Sequence, residues 1–245
     1  MHHEGHEGTR RKIEPARPLA KTVLVPDADA YIFDIDGTLL VTQDLVHWNA
    51  LHRAMLEAYG VDATIDGIPY HGKTDLSILR AALERAGIQK EHFEAALPKA
   101  LDVVCREVEI NHRKIVPEVC PGICEFLESL QRAGKFIGVA SGNLKAVGWH
   151  KIEAAGLREF FVFGYFSDEC ETRTGIFQSA VNHVQQQLGR GARSLFIGDT
   201  PSDVHAAREV GVPVIAVSTG TFTYDELNAC SPDLCVSHCG ELLAE

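Results

Sequence analysis

No stretch of the 245 residues is apolar for long enough to span a bilayer. The N-terminus, MHHEGHEGTRRKIEP, carries charges with no apolar run behind them, so it lacks the pattern of a secretory signal. Basic residues are scarce. Lys and Arg number 23 against 34 Asp and Glu, a formal net charge of −11, which disfavours nucleic acid and anionic membranes as partners. A small anionic substrate stays compatible, because a bound metal inverts the charge inside one pocket. No C-x-x-C knuckle occurs. The seven cysteines (Cys105, Cys120, Cys124, Cys170, Cys230, Cys235 and Cys239) are odd in number and scattered, so a disulfide framework is not expected and a reducing cytoplasm is. Cys235 and Cys239, four apart near His238, and Cys120 and Cys124, also four apart, make a zinc site conceivable, but the cysteines read better as small buried apolar residues. Internal repeats and low-complexity segments are absent, and the string Gly72-Lys73-Thr74 is no P-loop, since the glycine pattern that should precede it is missing.

The rest is ordinary for a globular chain, 45% hydrophobic and 23% charged, and suits a large core with room for a second small domain. Residues 1–20 read as a flexible tail in which His2, His3 and His6 are solvated. Beyond them, short apolar runs each lead into turn residues. These are Ala30 to Phe33 before Asp34, Phe136 to Ala140 before Ser141, Phe161 to Phe163 toward Asp168, Ser194 to Ile197 before Gly198-Asp199, and Pro213 to Val217 before Ser218. Near-continuous apolar strands separated by helices predict an α/β fold: a Rossmann-like parallel sheet covered by helices on both faces. Ligands of such sheets bind at the carboxyl ends of the strands, so Asp34, Ser141, Asp168 and Asp199 are expected to converge.

One interval breaks the alternation. Between the first two strands, Trp48, Leu51, Met55 and Tyr59 are spaced for one helix face. Leu76, Leu79, Leu83 and Ala86 give a second, closed by Gly87, and Phe93, Leu97, Leu101 and Val104 a third. The interval is too long for a simple crossover. Residues 47–114 are therefore expected to be an inserted α-helical cap, and residues 21–46 and 115–245 the core. A core helix through Ile123, Phe126, Leu127 and Leu130 should end near Gly134.

The sharpest signal is Asp34-Ile35-Asp36-Gly37-Thr38 after the first strand. Two carboxylates at the end of a buried strand are costly unless a cation compensates them. A magnesium ion would, and one carboxylate could then be a nucleophile and the other a general acid and base. A surface turn or helix cap is the bland alternative. Ser141-Gly142-Asn143 offers a hydroxyl and free backbone N–H groups suited to phosphate. Asp199 and Asp203, in Gly198-Asp199-Thr200-Pro201-Ser202-Asp203, can hold a metal and also open a helix.

Together these motifs resemble the haloacid dehalogenase superfamily, in its phosphoglycolate-phosphatase-like and β-phosphoglucomutase-like branch with a helical cap. The resemblance implies that Asp34 is the nucleophile, Asp36 the acid and base, and magnesium the cofactor, held by Asp34, the backbone carbonyl of Asp36, Asp199 and Asp203. It implies phosphate contacts from Thr38, Ser141, Gly142 and Asn143. It departs at the third motif, where the family usually has Lys. Here Arg173 is the best-placed cation, with a surface role as the alternative, and Asp168 either joins the metal or caps a loop. Gly72-Lys73-Thr74-Asp75 resembles a cap segment of phosphoglycolate-phosphatase-like members, so Lys73 and His71 are candidates for substrate specificity. The expected activity is magnesium-dependent hydrolysis of a small phosphate monoester through a phospho-aspartate. The expected partner is a small phosphorylated metabolite, with the protein a monomer or homodimer. A phosphomutase is the nearest alternative and a catalytically silent binding module a more distant one. Dehalogenation is disfavoured by Asp36, and phosphonate cleavage by the lack of a well-placed cap lysine.

Overall fold

Every residue of the first strand, β1 (Ala30–Phe33), is buried, because the sheet is covered on both sides. In the computed structural model, which describes residues 27–168 and 170–243, side chains alternate between two apolar clusters as the pleat requires. Tyr31 and Phe33 enter one cluster, Ala30 and Ile32 the other. The remaining strands are β2 (Leu40–Thr42), β3 (Pro117–Val119), β4 (Phe136–Ala140), β5 (Phe163–Tyr165), β6 (Ser194–Gly198), β7 (Val214–Val217) and β8 (Leu234–Val236). Six of them form one sheet in the order β5-β4-β1-β6-β7-β8. All its pairings are parallel.

The helices are α1 (Val46–Tyr59), α2 (Asp75–Arg85), α3 (Lys90–Asn111), α4 (Ile123–Arg132), α5 (Lys145–Ala154), α6 (Arg173–Leu188), α7 (Pro201–Glu209) and α8 (Tyr224–Ala229). On one face Phe126 of α4 meets Tyr31 and Phe33 edge-on, with ring centroids 6.2 and 6.1 Å apart. On the other, Phe177 of α6 stacks on Phe196 at 3.9 Å. Full burial of such rings contributes about 1.5–3 kcal/mol each.

Helices α1, α2 and α3 share an apolar cluster of their own, to which α5 adds Leu144 and Val147 from its start. The chain leaves for these helices through β2 and returns through β3. The two strands pair antiparallel, Leu40 opposite Val119 and Thr42 opposite Pro117, and so bring the two crossings together. Thr74 caps α2, accepting from the backbone N–H of Ser77. Helix α2 is fixed to the sheet side at several points, among them the Asp75 N–H donating to Gly142 O at 2.8 Å and a bidentate pair of Arg80 with Glu171 at 2.7 Å per bond.

The apolar run at Phe161 mispredicts its strand. Arg158–Phe160 is a 3-10 turn and β5 starts only at Phe163. Phe161 is buried without being in the sheet, while Val162 is 63% exposed. The short strands β2, β3 and β8 were not expected. The expected tail, with His2, His3 and His6, lies outside the described residues. Among the described residues no helix is long and apolar enough to cross a membrane, and the cysteines are free. His238 accepts from the Gly240 N–H to cap a 3-10 turn (Cys239–Leu242), and no zinc cluster forms with Cys235 and Cys239.

Candidate active site

Strands β1, β4 and β6 end side by side, and the next residues, Asp34, Ser141 and Asp199, meet there. They line a cavity of about 530 Å³ closed on its far side by α1, α2 and the loop before α2. Asp36, Gly142, Asn143 and Arg173 line it too, as do His71 and Lys73. Asp203 lies just beneath, fully buried.

The loop after β1 turns at Gly37, whose φ of +83° suits glycine. Space demands glycine there as well: a Cβ on Gly37 would sit 2.2 Å from Asp199 Oδ2, and one on Gly220 1.8 Å from the same atom. Thr38 is buried outside the cavity, and its hydroxyl donates to Asp199 Oδ1 at 3.0 Å. This bond gives Thr38 a role in holding Asp199.

Arg173, the first residue of α6, turns its side chain inward, where it is only 8% exposed. Its Nε donates to Asp203 Oδ1 at 2.6 Å, and its Nη2 pairs with Asp34 Oδ2. Asp203 also accepts from the N–H and hydroxyl of Thr200 at 3.0 and 2.7 Å, in the capping box that opens α7 with Pro201 at its first position. Asp168 stays apart. Its carboxylate accepts from the Lys145 N–H at 2.6 Å and so caps the start of α5; it is not in the acidic cluster.

That cluster is Asp34, Asp199 and Asp203, with oxygens within 4.8 Å of one another. Burial, with Asp203 and Asp36 adding, outweighs the Arg173 charge and pushes the Asp34 carboxyl up to about 6. Burial and the neighbouring Asp203 and Asp34 also push Asp199 well above the ordinary carboxylate range. Asp34 Oδ1 is buried with no hydrogen-bond partner. Three acids, one guanidinium and a bare carboxylate oxygen fit a hard divalent cation, which takes oxygen ligands and would compensate the excess negative charge.

A carboxyl raised by folding contributes stability at low pH that is lost as pH rises, for Asp34 between its ordinary value of 3.8 and about 6. A divalent cation needs the ionised form and competes with the proton. Saturating magnesium should therefore raise the melting temperature more at about pH 7.5 than at about pH 5. Thermal melts in magnesium and in EDTA at both pH values check this; an equal rise at both would contradict it.

Sequence reasoning missed Lys151. It sits on α5, 4% exposed, with Nζ 2.8 Å from each carboxylate oxygen of Asp36. Nothing local marks it: the contact joins positions 115 apart in the chain. Asn143 also turns out to serve Asp36, donating from Nδ2 at 2.7 Å to Asp36 Oδ2 and at 2.9 Å to Ser141 Oγ.

A parallel sheet with acids converging at its strand ends beneath a helical layer is an α/β architecture with its candidate site at the carboxyl ends of the strands. Residues 31–217 match the family model described as haloacid dehalogenase-like hydrolase, and the chain belongs to that family. A phosphoglycolate phosphatase of Mesorhizobium japonicum is 26% identical over 217 residues, covering 87% of this chain and 92% of the relative. One from Agrobacterium fabrum is 29% identical over 196 residues, covering 77% and 80%. Among solved structures, CbbY from Rhodobacter sphaeroides in complex with phosphate superposes with a TM-score of 0.66 at 20% identity, covering 88% of this chain and 96% of that one. A β-phosphoglucomutase from Clostridium difficile gives 0.63 at 18% identity, covering 88% and 93%. The expectation of an enzyme of the haloacid dehalogenase type, a phosphoric monoester hydrolase, holds.

Proposed function

We propose that this protein hydrolyses a small phosphate monoester through a phospho-aspartate on Asp34, with magnesium as cofactor. The observation that carries the reading is the state of Asp34: it directly follows β1, has one bare buried oxygen and has the other held by Arg173. Asp36 faces the same cavity.

Asp34 would attack phosphorus, forming the new O–P bond as the bond to the leaving oxygen breaks. Asp36 would give that oxygen a proton, then take one from the water that attacks the acyl phosphate and frees Asp34 and inorganic phosphate. Arg173, the Ser141 hydroxyl and the backbone around Gly142 would bind the phosphoryl oxygens. Magnesium, on Asp34, the Asp36 carbonyl and Asp199, with Asp203 behind, would supply charge neutralisation.

Residues 47–114 act in this reading as a cap that selects the substrate. Lys73 lines the cavity, and its side chain has no ionic or hydrogen-bond partner among the described residues, which leaves the ammonium free to meet a second anionic group. His71 lies beside it, 3.1 Å from the Thr221 hydroxyl. The relatives' names point the same way, since phosphoglycolate carries a carboxylate at its far end. Phosphate release from a panel of monoesters, phosphoglycolate included, tests the reading. Release in magnesium and none in EDTA is expected, with Lys73→Ala raising KM for phosphoglycolate by about 10-fold or more. Isomerised sugar phosphate without phosphate release would overturn hydrolysis in favour of mutase chemistry.

A further inference from the structure

Lys151 is a buried ammonium, and buried lysines are rare unless paired. Its partner is not in the core. The Asp36 side chain is 41% exposed in the cavity, while that of Lys151, which lines the same cavity, is 5% exposed. Lys151 Nζ bridges both Asp36 oxygens at 2.8 Å and donates to Asn143 Oδ1 at 2.8 Å. Asn143 returns its own amide to Asp36 Oδ2 at 2.7 Å. Three polar groups thus close a ring that fixes the carboxylate plane of Asp36.

One contact reaches the ring from the helical layer: His47 of α1 places Nδ1 3.3 Å from Lys151 Nζ. Its Nε2 lies 3.1 Å from Asp75 Oδ1 without a hydrogen bond. Asp75, at the start of α2, accepts from the Leu144 N–H at 2.7 Å, which ties it to the sheet side. The Lys151 ammonium therefore has little freedom to move, and Asp36 inherits that restriction. A general acid and base must lie within hydrogen-bond reach of the transferred proton, and small displacements are costly.

We propose that Lys151 is a positioning residue for the proton-transfer carboxylate Asp36. The inference rests on the phospho-aspartate reading, and its test separates the two. A double-mutant cycle on p-nitrophenyl phosphate with magnesium compares the parent, Lys151→Met, Asp36→Asn and the double variant, with Asp34→Asn alongside. Lys151→Met is expected to lower kcat about 100-fold without raising KM. On the Asp36→Asn background the same substitution should change kcat by less than about 3-fold, because nothing remains to position. A fold-wide defect would instead multiply through both backgrounds, and melting temperatures of all variants register it directly. Should Lys151→Met not fold, Lys151→Arg carries the same cycle: it keeps the charge and changes the geometry. Equal losses on both backgrounds, or a raised KM with kcat unchanged, would overturn the proposal. An active Asp34→Asn would sink the phospho-aspartate reading, whatever the cycle gave.

Discussion

Asp34→Asn should lower kcat by about 10⁴-fold or more, yet leave the metal-free protein as stable as the parent or more stable near neutral pH. The two effects share one cause. The carboxylate is the group that would form the covalent bond, and no neighbour can replace it: Asp36 is engaged by Lys151, while Asp199 is held by Thr38. The same carboxylate is unfavourable when ionised, since burial and the nearby Asp203 and Asp36 push its pKa up to about 6. A neutral isostere removes that repulsion while still able to meet Arg173. Activity assays together with melts in EDTA check both halves. Lost activity with a markedly lowered melting temperature would place Asp34 in the fold rather than the chemistry.

The second large effect concerns Arg173. It is the cation that pairs with Asp34 and Asp203, and its side chain is only 8% exposed. Removing one partner of a buried pair costs about 3–5 kcal/mol, because the other charges are left uncompensated. Arg173→Met is expected to lose stability on that scale and about 10²–10³-fold in kcat, with magnesium restoring part of the stability. Arg173→Lys keeps the charge, but a single ammonium cannot reproduce a guanidinium with Nε on Asp203 and Nη2 on Asp34. It should retain most of the stability and still lose about 10-fold or more in kcat. Chemical denaturation of both variants, with and without magnesium, checks the stabilities. A fully active Arg173→Met would remove Arg173 from the site.

These two residues differed in how far the sequence revealed them. Asp34 follows four apolar residues and opens a motif, so its place at a strand end was legible. Arg173 was legible only as a nearby cation, because whether it faces solvent or acid depends on where α6 begins, and Thr172 as its cap decides that. Lys151 was invisible: it sits mid-helix on α5, and its partners come from the loop after β1, the loop after β4 and the start of α1. For Asp168 the sequence left two roles open, and following a strand did not decide between them; its carboxylate accepts from the N–H that opens α5. The helical interval was legible by periodicity, whereas β2 and β3 were too short to show any. Three-residue strands acquire their identity from pairing across the insertion, which no local pattern contains.

The most direct test of the account is to trap the intermediate. Asp36→Asn should slow release of the phosphoryl group more than its capture, so acid quenching after mixing with radiolabelled p-nitrophenyl phosphate and magnesium should leave label on the protein. The account predicts an acid-stable, hydroxylamine-labile label on the peptide containing Asp34, absent from the Asp34→Asn protein. Label on another residue, or steady turnover by the Asp34→Asn protein, would contradict it.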